Sequence, residues 1–230
     1  MKPFLLVPTT LLLGMLASQG PVAQAVRALL ARTRLAVAGT YQAAGVVPRD
    51  RLDCFGGRVG LFHNQPADRL LDEADLVITM LEHGGVVNEV LFSPDLPGAA
   101  QGLRPGSLVV DMSSILPEQA QDHARRLAEL GVQALDAPVS GGTLGAEAGT
   151  LAIMAGGEAA DFERAREVLS VLGRPVHVGP AGSGQLTKLA NQMIVGITIG
   201  AVAEALLLAE KGGANPAKVR EALRGGFAES

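Results

Sequence analysis

A lysine and an asparagine stand at the start of a long apolar helical pattern. The stretch TKLANQMIVG begins at Thr187 and contains Lys188 and Asn191, three residues apart. Residues at this spacing share one face of a helix. A buried ammonium is costly unless it is paired or has a chemical task. The alternative is a lysine whose stem covers apolar surface while its charge stays in water.

A serine and two glycines follow a predicted strand in DAPVSGG, which spans Asp136 to Gly142. Glycines allow a small anion to approach backbone N–H groups, and the Ser140 hydroxyl adds another donor. Ser140, Gly141 and Gly142 are therefore candidates for binding a small anionic ligand. A tight turn into the next element explains the same residues equally well.

Two further strand ends carry polar or small residues. MLEHGG, with Leu81 and Glu82, follows the run ADLVITM, and Ser113-Ser114 closes the run SLVVDM. In parallel α/β sheets, ligands bind at the carboxyl ends of strands. The order of these strand ends, followed by the lysine-bearing helix, predicts one shared crevice.

The elements that must position these residues alternate between strand and helix. Short β-branched runs are typical of strands buried on both faces, and Pro117 and Gly131 bound a helix between two of them. This alternation predicts the α/β class with a mostly parallel sheet. The loop GPAGSGQ indicates a boundary between residues 1–181 and the start of an all-α domain, 182–230.

The first 26 residues allow two interpretations. From Pro3 to Val26 no charge occurs, and Ala23-Gln24-Ala25 resembles the cleavage site of an exported protein. The favoured interpretation is a buried strand, Thr10 to Gly14, followed by a helix from Val22 to Ala31. We therefore expect a cytoplasmic protein, with export as the alternative.

Composition limits the classes of partner and cofactor. The 230 residues carry a net charge of −4, which argues against nucleic acid. The single cysteine and four scattered histidines predict no metal site. The helix pattern from Leu186 to Lys211 has a charge-free stretch that is short and partly polar for a membrane span, so we expect a helix buried in a protein core. Because little follows this helix, we expect that either another subunit covers it, forming a homo-oligomer, or the chain is a truncated version of a longer one.

Three motifs in order resemble the β-hydroxyacid dehydrogenases, a family of NAD(P)-dependent oxidoreductases. They are DAPVSGGTLGAEAGTLAIMAGG, GQLTKLANQMIVG and AEALLLAEKGGANP, and the resemblance covers about Val59 to Ser230. It implies a Rossmann-like dinucleotide-binding domain followed by a helical domain. It also implies NAD or NADP as cofactor and a small β-hydroxy acid or its oxo form as substrate, such as tartronate semialdehyde or 3-hydroxyisobutyrate.

The resemblance assigns a role to each candidate residue. Lys188 would be the general acid/base, protonating the carbonyl oxygen as hydride arrives from the nicotinamide. Ser140, Gly141 and Gly142 would hold the substrate carboxylate, and Asn191 would orient the hydroxyl and the lysine. The cofactor would contact four residues: Gly20, Leu81, Glu82 and Ser114.

The N-terminal part departs from the family pattern, divergent over residues 1–57. With Gly20 as the last glycine of G-x-G-x-x-G, the first two positions hold Met15 and Ala17. Glu82 replaces a proline of the family, and the segment after Gly39 has no acidic residue for a ribose. The family also continues beyond Ser230. The alternative function is therefore a non-catalytic or cofactor-impaired relative, or a fragment of such an enzyme.

Overall fold

The computed structural model describes residues 9–13, 20–32, 36–39, 47, 55–58, 73–93, 98–226 and 228. Within them, nine strands form one sheet. The strands are β1 (Thr9–Leu13), β2 (Ala36–Gly39), β3 (Phe55–Arg58), β4 (Leu76–Met80), β5 (Leu108–Asp111), β6 (Gln133–Asp136), β7 (Val139–Ser140), β8 (Leu151–Gly157) and β9 (Gly173–Gly179). The helices are α1 (Gly20–Arg32), α2 (Gly84–Phe92), a 3₁₀ turn (Ala99–Gly102), α3 (Pro117–Glu129), α4 (Gly142–Ala148), α5 (Ala159–Leu172), α6 (Ser183–Lys211) and α7 (Pro216–Leu223).

The sheet confirms the predicted α/β class with mostly parallel strands. Strands β3, β2, β1, β4, β5 and β6 lie side by side in this order, and all these pairs are parallel. Strands β6 and β7 pair antiparallel with β8, which pairs in parallel with β9. The order reverses between β1 and β4, which is the switch point where such sheets bind ligands.

The central strands owe their sequences to burial on both faces. Leu76 and Ile78 of β4 lie in one hydrophobic cluster, and Val77 between them lies in the other. Side chains alternate between faces along a strand, so a continuous apolar run serves two cores at once. The cluster with Ile78 also includes Leu30 of α1 and Val37 of β2.

The interpretation of the first segment as strand and helix is confirmed. The predicted strand Thr10–Gly14 corresponds to β1, which pairs with β2 and β4. The predicted helix corresponds to α1, which begins at Gly20. Residues 14–19 between them lie outside the described residues.

Helix α6 is longer and more exposed than expected. The chain forms two compact units, Met1–Lys188 and Leu189–Ser230. Helix α6 has 29 residues, of which only Gly184 and Gln185 are buried, so the expected burial in a core is not met within the described chain. By length and composition only, this helix, with a mean hydropathy of 1.9 over an 18-residue window, could cross a membrane. The core helix of a soluble protein meets the same criterion.

Candidate active site at the carboxyl ends of the parallel strands

Hydrogen bonds join the ends of the neighbouring strands β4 and β5. The Thr79 hydroxyl donates to Asp111 Oδ1 at 2.8 Å, and the Leu81 N–H donates to Ser113 Oγ at 2.8 Å. These four residues are buried. Side-chain hydrogen bonds, as well as the backbone pairing of β4 with β5, therefore hold these two strand ends together.

Asp136, at the end of β6, fixes the start of helix α6. Its Oδ1 accepts from the Gly182 N–H at 2.7 Å, and its Oδ2 accepts from the Gln185 N–H at 2.8 Å. A carboxylate at a helix N-terminus satisfies free N–H groups and complements the helix dipole. Burial raises the pKa of Asp136, and the bonds from Gly182 and Gln185 oppose that rise.

Gln185 connects the same helix start to the end of β5. Its side chain is 1% exposed. Its Oε1 accepts from the Ile115 N–H at 3.0 Å, and its Nε2 donates to the Ser113 carbonyl at 2.8 Å. The first turn of α6 is therefore attached to two strands, by Asp136 and by Gln185.

A glycine in β8 lets the helix approach the sheet closely. A Cβ added at Gly156 would lie 2.6 Å from Asp136 Oδ1 and 2.7 Å from the Gly184 nitrogen. Neither distance is possible for a real side chain, so this position requires glycine.

Lys188 lies five residues beyond the start of α6, within the first compact unit. It is half-buried, and burial lowers the pKa of its ammonium. Among the described residues no hydrogen bond or ion pair stabilises its charged form. Asn191 belongs to the second unit, where its Nδ2 donates to Gln192 Oε1 at 2.9 Å.

The turn with Ser140, Gly141 and Gly142 lies at the start of helix α4. Gly141 and Gly142 have φ values of 136° and 61°, which side-chain-bearing residues rarely adopt. Ser140 pairs with Ala152 of β8, four residues before Gly156 on the same strand. At about 3.3 Å per residue, strand β8 links this turn to the start of α6 over roughly 13 Å.

The four predicted cofactor contacts are spread around the switch point. Gly20 is the first residue of α1, and Leu81 and Glu82 directly follow β4. Leu81 is buried and Glu82 is half-buried. Ser114 is exposed, and its neighbour Ser113 makes the contact between strand ends.

The amino-acid sequence around these residues lacks features that the pyrophosphate of a dinucleotide requires. Such a group needs glycines in the first turn and free N–H groups at the start of the following helix. Residues 14–19 read GMLASQ, and the second residue of α1 is Pro21, which has no N–H. The carboxylate of Glu82 follows the neighbouring strand, and a negative charge there opposes phosphate.

A small, mainly apolar cavity lies behind the strand ends, between β5, β6 and α3. Its volume is about 20 Å³, and its lining includes Asp111, His123 and Asp136. Within the described part of the chain, Asp111 Oδ2 and His123 Nδ1 are buried without a hydrogen-bond partner. Burial lowers the pKa of His123 and raises that of Asp111 to about 6.

Sequence reasoning missed Asp136, Gln185 and Asp111 as parts of this site. Asp136 opens the motif DAPVSGG, and Gln185 ends a loop whose small residues suggested only flexibility. An acidic or amide side chain within an apolar or glycine-rich segment was the sequence feature that could have identified these residues.

The parallel sheet with its switch point and the lysine-bearing helix define a Rossmann-type dehydrogenase architecture. Comparison with protein families divides the chain into three matches. Residues 49–182 match the NAD binding domain of 6-phosphogluconate dehydrogenase, and residues 182–230 match the NAD-binding domain of NADP-dependent 3-hydroxyisobutyrate dehydrogenase. Residues 9–81 match the central domain of thiamine pyrophosphate enzymes, which overlaps the first match.

Individual relatives give the same picture. The 2-hydroxy-3-oxopropionate reductase of Escherichia coli (strain K12) is 45% identical over 173 residues, which are 75% of this chain and 59% of that protein. The 3-hydroxyisobutyrate dehydrogenase of Pseudomonas aeruginosa is 39% identical, over 74% of this chain and 62% of that protein. The solved 3-hydroxyisobutyrate dehydrogenase of Mycobacterium tuberculosis with L-serine is 32% identical with a TM-score of 0.75, over 96% of this chain and 72% of that one.

The chain belongs to the β-hydroxyacid dehydrogenase family, as its motifs predicted. It spans about half to three fifths of the length of the first curated relatives it matches.

Proposed function

We propose that this chain carries the substrate and proton-transfer part of an NAD(P)-dependent oxidoreductase. The reaction interconverts a small β-hydroxy acid and its oxo form. One observation carries the proposal. Lys188 is half-buried with a lowered pKa, on a helix whose first turn is fixed to the strand ends by Asp136 and Gln185.

Lys188 acts as the general acid/base. The carbonyl oxygen of the oxo acid gains a proton from the Lys188 ammonium during reduction, and the hydroxyl returns it during oxidation. The lowered pKa brings the lysine toward neutrality, where an acid/base exchanges protons best. Asn191, three residues further along α6, orients the hydroxyl and the lysine.

The turn at Ser140, Gly141 and Gly142 holds the substrate carboxylate. Two glycines at positive φ leave backbone N–H groups accessible, and Gly142 has no atom within 4 Å of an added Cβ. This open space suits a small anion approaching the backbone. The Ser140 hydroxyl is a further donor.

The substrate is a small 3-hydroxy or 3-oxo carboxylate. The relative from Escherichia coli is named for 2-hydroxy-3-oxopropionate, also called tartronate semialdehyde. That compound is a 3-oxo acid, and L-serine, with which the relative from Mycobacterium tuberculosis was solved, is a 3-hydroxy acid. Both molecules have a carboxylate for the glycine turn and an oxygen for Lys188.

Turnover of tartronate semialdehyde with millimolar NADH or NADPH tests the proposal. Lys188→Ala is expected to lower kcat by about 10²- to 10⁴-fold. Lys188→Arg keeps the charge, but a guanidinium does not release its proton near neutral pH, so it is expected to be equally impaired. Lys211→Ala, at the exposed end of the same helix, is the matched control and keeps full activity. No turnover of either tartronate semialdehyde or 3-hydroxyisobutyrate by the unaltered chain would contradict the proposal.

The sequence between β1 and α1 favours a second function. Met15 and Ala17 replace two glycines of the family motif and Pro21 has no N–H, so the second function is that of a cofactor-impaired relative that binds the small carboxylate without turning it over. Binding of L-serine measured by calorimetry, together with no turnover, would favour this second function.

We also propose a homo-oligomer located in the cytoplasm. Helix α6 exposes large apolar side chains, among them Met193 and Ile197 at 63% and 65%. Exposed apolar surface of this size is typical of an interface. Sedimentation of the purified chain is expected to give a dimer or larger species, and a monomer at micromolar concentration would contradict this assignment.

A further inference from the structure

Two families meet within one sheet of this chain. The match to the NAD binding domain starts at residue 49, so β1, α1 and β2 lie outside it. These three elements lie inside the match to the central domain of thiamine pyrophosphate enzymes, which ends at residue 81. The two matches share residues 49–81, which include β3 and β4.

Strand β4 can lie in both family matches because burial alone determines which residue types it contains. Its first four residues are buried. It pairs with β1 on one side and β5 on the other, without a register shift. A buried parallel strand requires β-branched and aliphatic residues whatever ligand the sheet binds. A half-sheet from another family can therefore join here without disturbing the core.

The hydrophobic cluster is continuous across this seam. Leu30 of α1 and Val37 of β2, at 1% and 0% exposure, share one cluster with Ile78 of β4 and Val110 of β5. The described elements α1 and β2 thus share one hydrophobic core with β4 and β5. The hydrophobic packing is retained, although the phosphate-binding sequence of the family is not.

The phosphate-binding chemistry belongs to the half that differs. In a dinucleotide-binding domain the pyrophosphate lies at the turn after the first strand, and an acidic residue after the second strand reads the ribose. Here residues 14–19 read GMLASQ, Pro21 has no N–H to offer at the start of α1, and Thr40-Tyr41 follows Gly39, the last residue of β2, without an acid. The sequence therefore departs from the family at both of these positions.

We infer that residues 9–81 are a half-sheet of the thiamine-enzyme type that maintains the fold but does not bind the adenosine diphosphate part of a nicotinamide dinucleotide. The inference rests on the proposed function only in taking a nicotinamide dinucleotide as the cofactor. The residues for proton transfer and for the substrate carboxylate, all after residue 81, are unaffected by it.

Comparison of cofactor fragments tests the inference directly. Binding of NADH, of reduced nicotinamide mononucleotide and of ADP-ribose to the whole chain is measured by calorimetry. NADH and the mononucleotide are expected to bind with dissociation constants within about threefold, and ADP-ribose is expected not to bind at millimolar concentration. A single charge-assisted hydrogen bond to the pyrophosphate would already favour NADH by about 10-fold or more. NADH bound at least about 30-fold more tightly than the mononucleotide, or ADP-ribose bound at micromolar concentration, would overturn the inference.

A chimera and a point variant test whether residues before β4 or the single residue Glu82 cause the weak NADH binding. Replacing residues 1–75 with the matching segment of the Escherichia coli relative keeps β4 and everything after it. This chimera is expected to bind NADH at least about 30-fold more tightly than the unaltered chain, since it restores the first-strand turn. Glu82→Gln alone is expected to change NADH affinity by less than about threefold, because removing one repulsive charge creates no phosphate site. A gain of about 30-fold from Glu82→Gln alone would place the defect at one side chain and overturn the inference.

Failure of this inference and failure of the proposed function give different results. If the chimera binds NADH tightly and still turns over neither oxo nor hydroxy acid, the proposed function fails while the inference stands. If the unaltered chain binds NADH tightly and turns over substrate, the inference fails while the proposed function stands.

Discussion

Asp111 is expected to make the protein less stable as the pH rises from about 4 to about 6.5. Its Oδ1 accepts from the Thr79 hydroxyl at 2.8 Å and from the Ser113 N–H at 3.0 Å. Its Oδ2 is buried without a partner among the described residues. Burial raises the pKa from 3.8 to about 6, the hydrogen bonds from Ser113 and Thr79 oppose this rise, and the charge of Asp136 adds to it.

The sign and size of the effect follow from that shift. Between pH 3.8 and about 6 the folded state keeps the Asp111 proton, whereas the unfolded state loses it. The folded state then binds more protons, so the free energy of unfolding decreases as the pH rises. Two pKa units correspond to about 3 kcal/mol. The penalty is absent below the unfolded pKa and complete above the folded one.

Denaturant unfolding of the unaltered chain and of Asp111→Asn at several pH values measures this penalty. Asparagine is neutral throughout, and its oxygen can accept from Thr79 and Ser113. The free energy of unfolding of the variant, relative to the unaltered chain, is expected to increase by about 3 kcal/mol between about pH 4 and pH 8. A difference that changes by less than about 1 kcal/mol over this interval would refute the reasoning.

A second carboxylate gives a control of opposite sign. A hydrogen bond from Arg125 lowers the pKa of Asp122, which is partly exposed on α3. Its stabilising contribution is present above the unfolded pKa and is lost as the pH falls through the folded one. The stability difference between Asp122→Asn and the unaltered chain is therefore expected to change in the opposite direction from that of Asp111→Asn.

Three further predictions concern the start of α6 and the glycine turn. Asp136→Asn replaces an acceptor oxygen with an amide group that faces a backbone N–H. Denaturant unfolding is expected to show that the free energy of unfolding decreases by about 2–4 kcal/mol. A decrease below about 0.5 kcal/mol would contradict the role of Asp136. Gly156→Ala places a Cβ 2.6 Å from a carboxylate oxygen, whereas the Cβ of Gly142→Ala meets nothing within 4 Å. Gly142→Ala is expected to lower the free energy of unfolding by about 1–2 kcal/mol because of its positive φ, and Gly156→Ala is expected to lower it far more. Equal decreases for the two variants would contradict the close approach of helix and sheet at Gly156. Lys188 is expected to react with an acylating reagent at lower pH than Lys211, as measured by mass spectrometry, because burial lowers its pKa; equal reactivity profiles would contradict that shift.

Local pattern was enough to predict the elements and several motif residues. Strands β4 and β5 were recognisable because a strand buried on both faces needs an unbroken apolar run. The turn at Gly141 and Gly142 was recognisable because few residues besides glycine adopt its φ values. The family resemblance was likewise contained in motifs that are continuous in sequence.

Contacts between distant segments could not be predicted in this way. Asp136 accepts from Gln185 across 49 residues, and Gln185 donates to Ser113 across 72. In sequence, Gln185 ends a glycine-rich loop, and only the folded chain places it between two strands where its amide satisfies both a donor and an acceptor. The raised pKa of Asp111 has the same origin, since burial is a property of the whole core and not of the residue.

The sequence by itself determined which segments are strands and helices, the glycines of the turn at Gly141 and Gly142, and the candidate residue for proton transfer, Lys188. Those properties depend on the side chain and its near neighbours in the chain. The tertiary structure alone decided which polar groups fix the lysine-bearing helix, and that helix α6 is exposed along most of its length within the chain. It also decided that β4 joins two half-sheets in one core. Each of these depends on which surfaces meet, and that is set by packing between segments far apart in sequence.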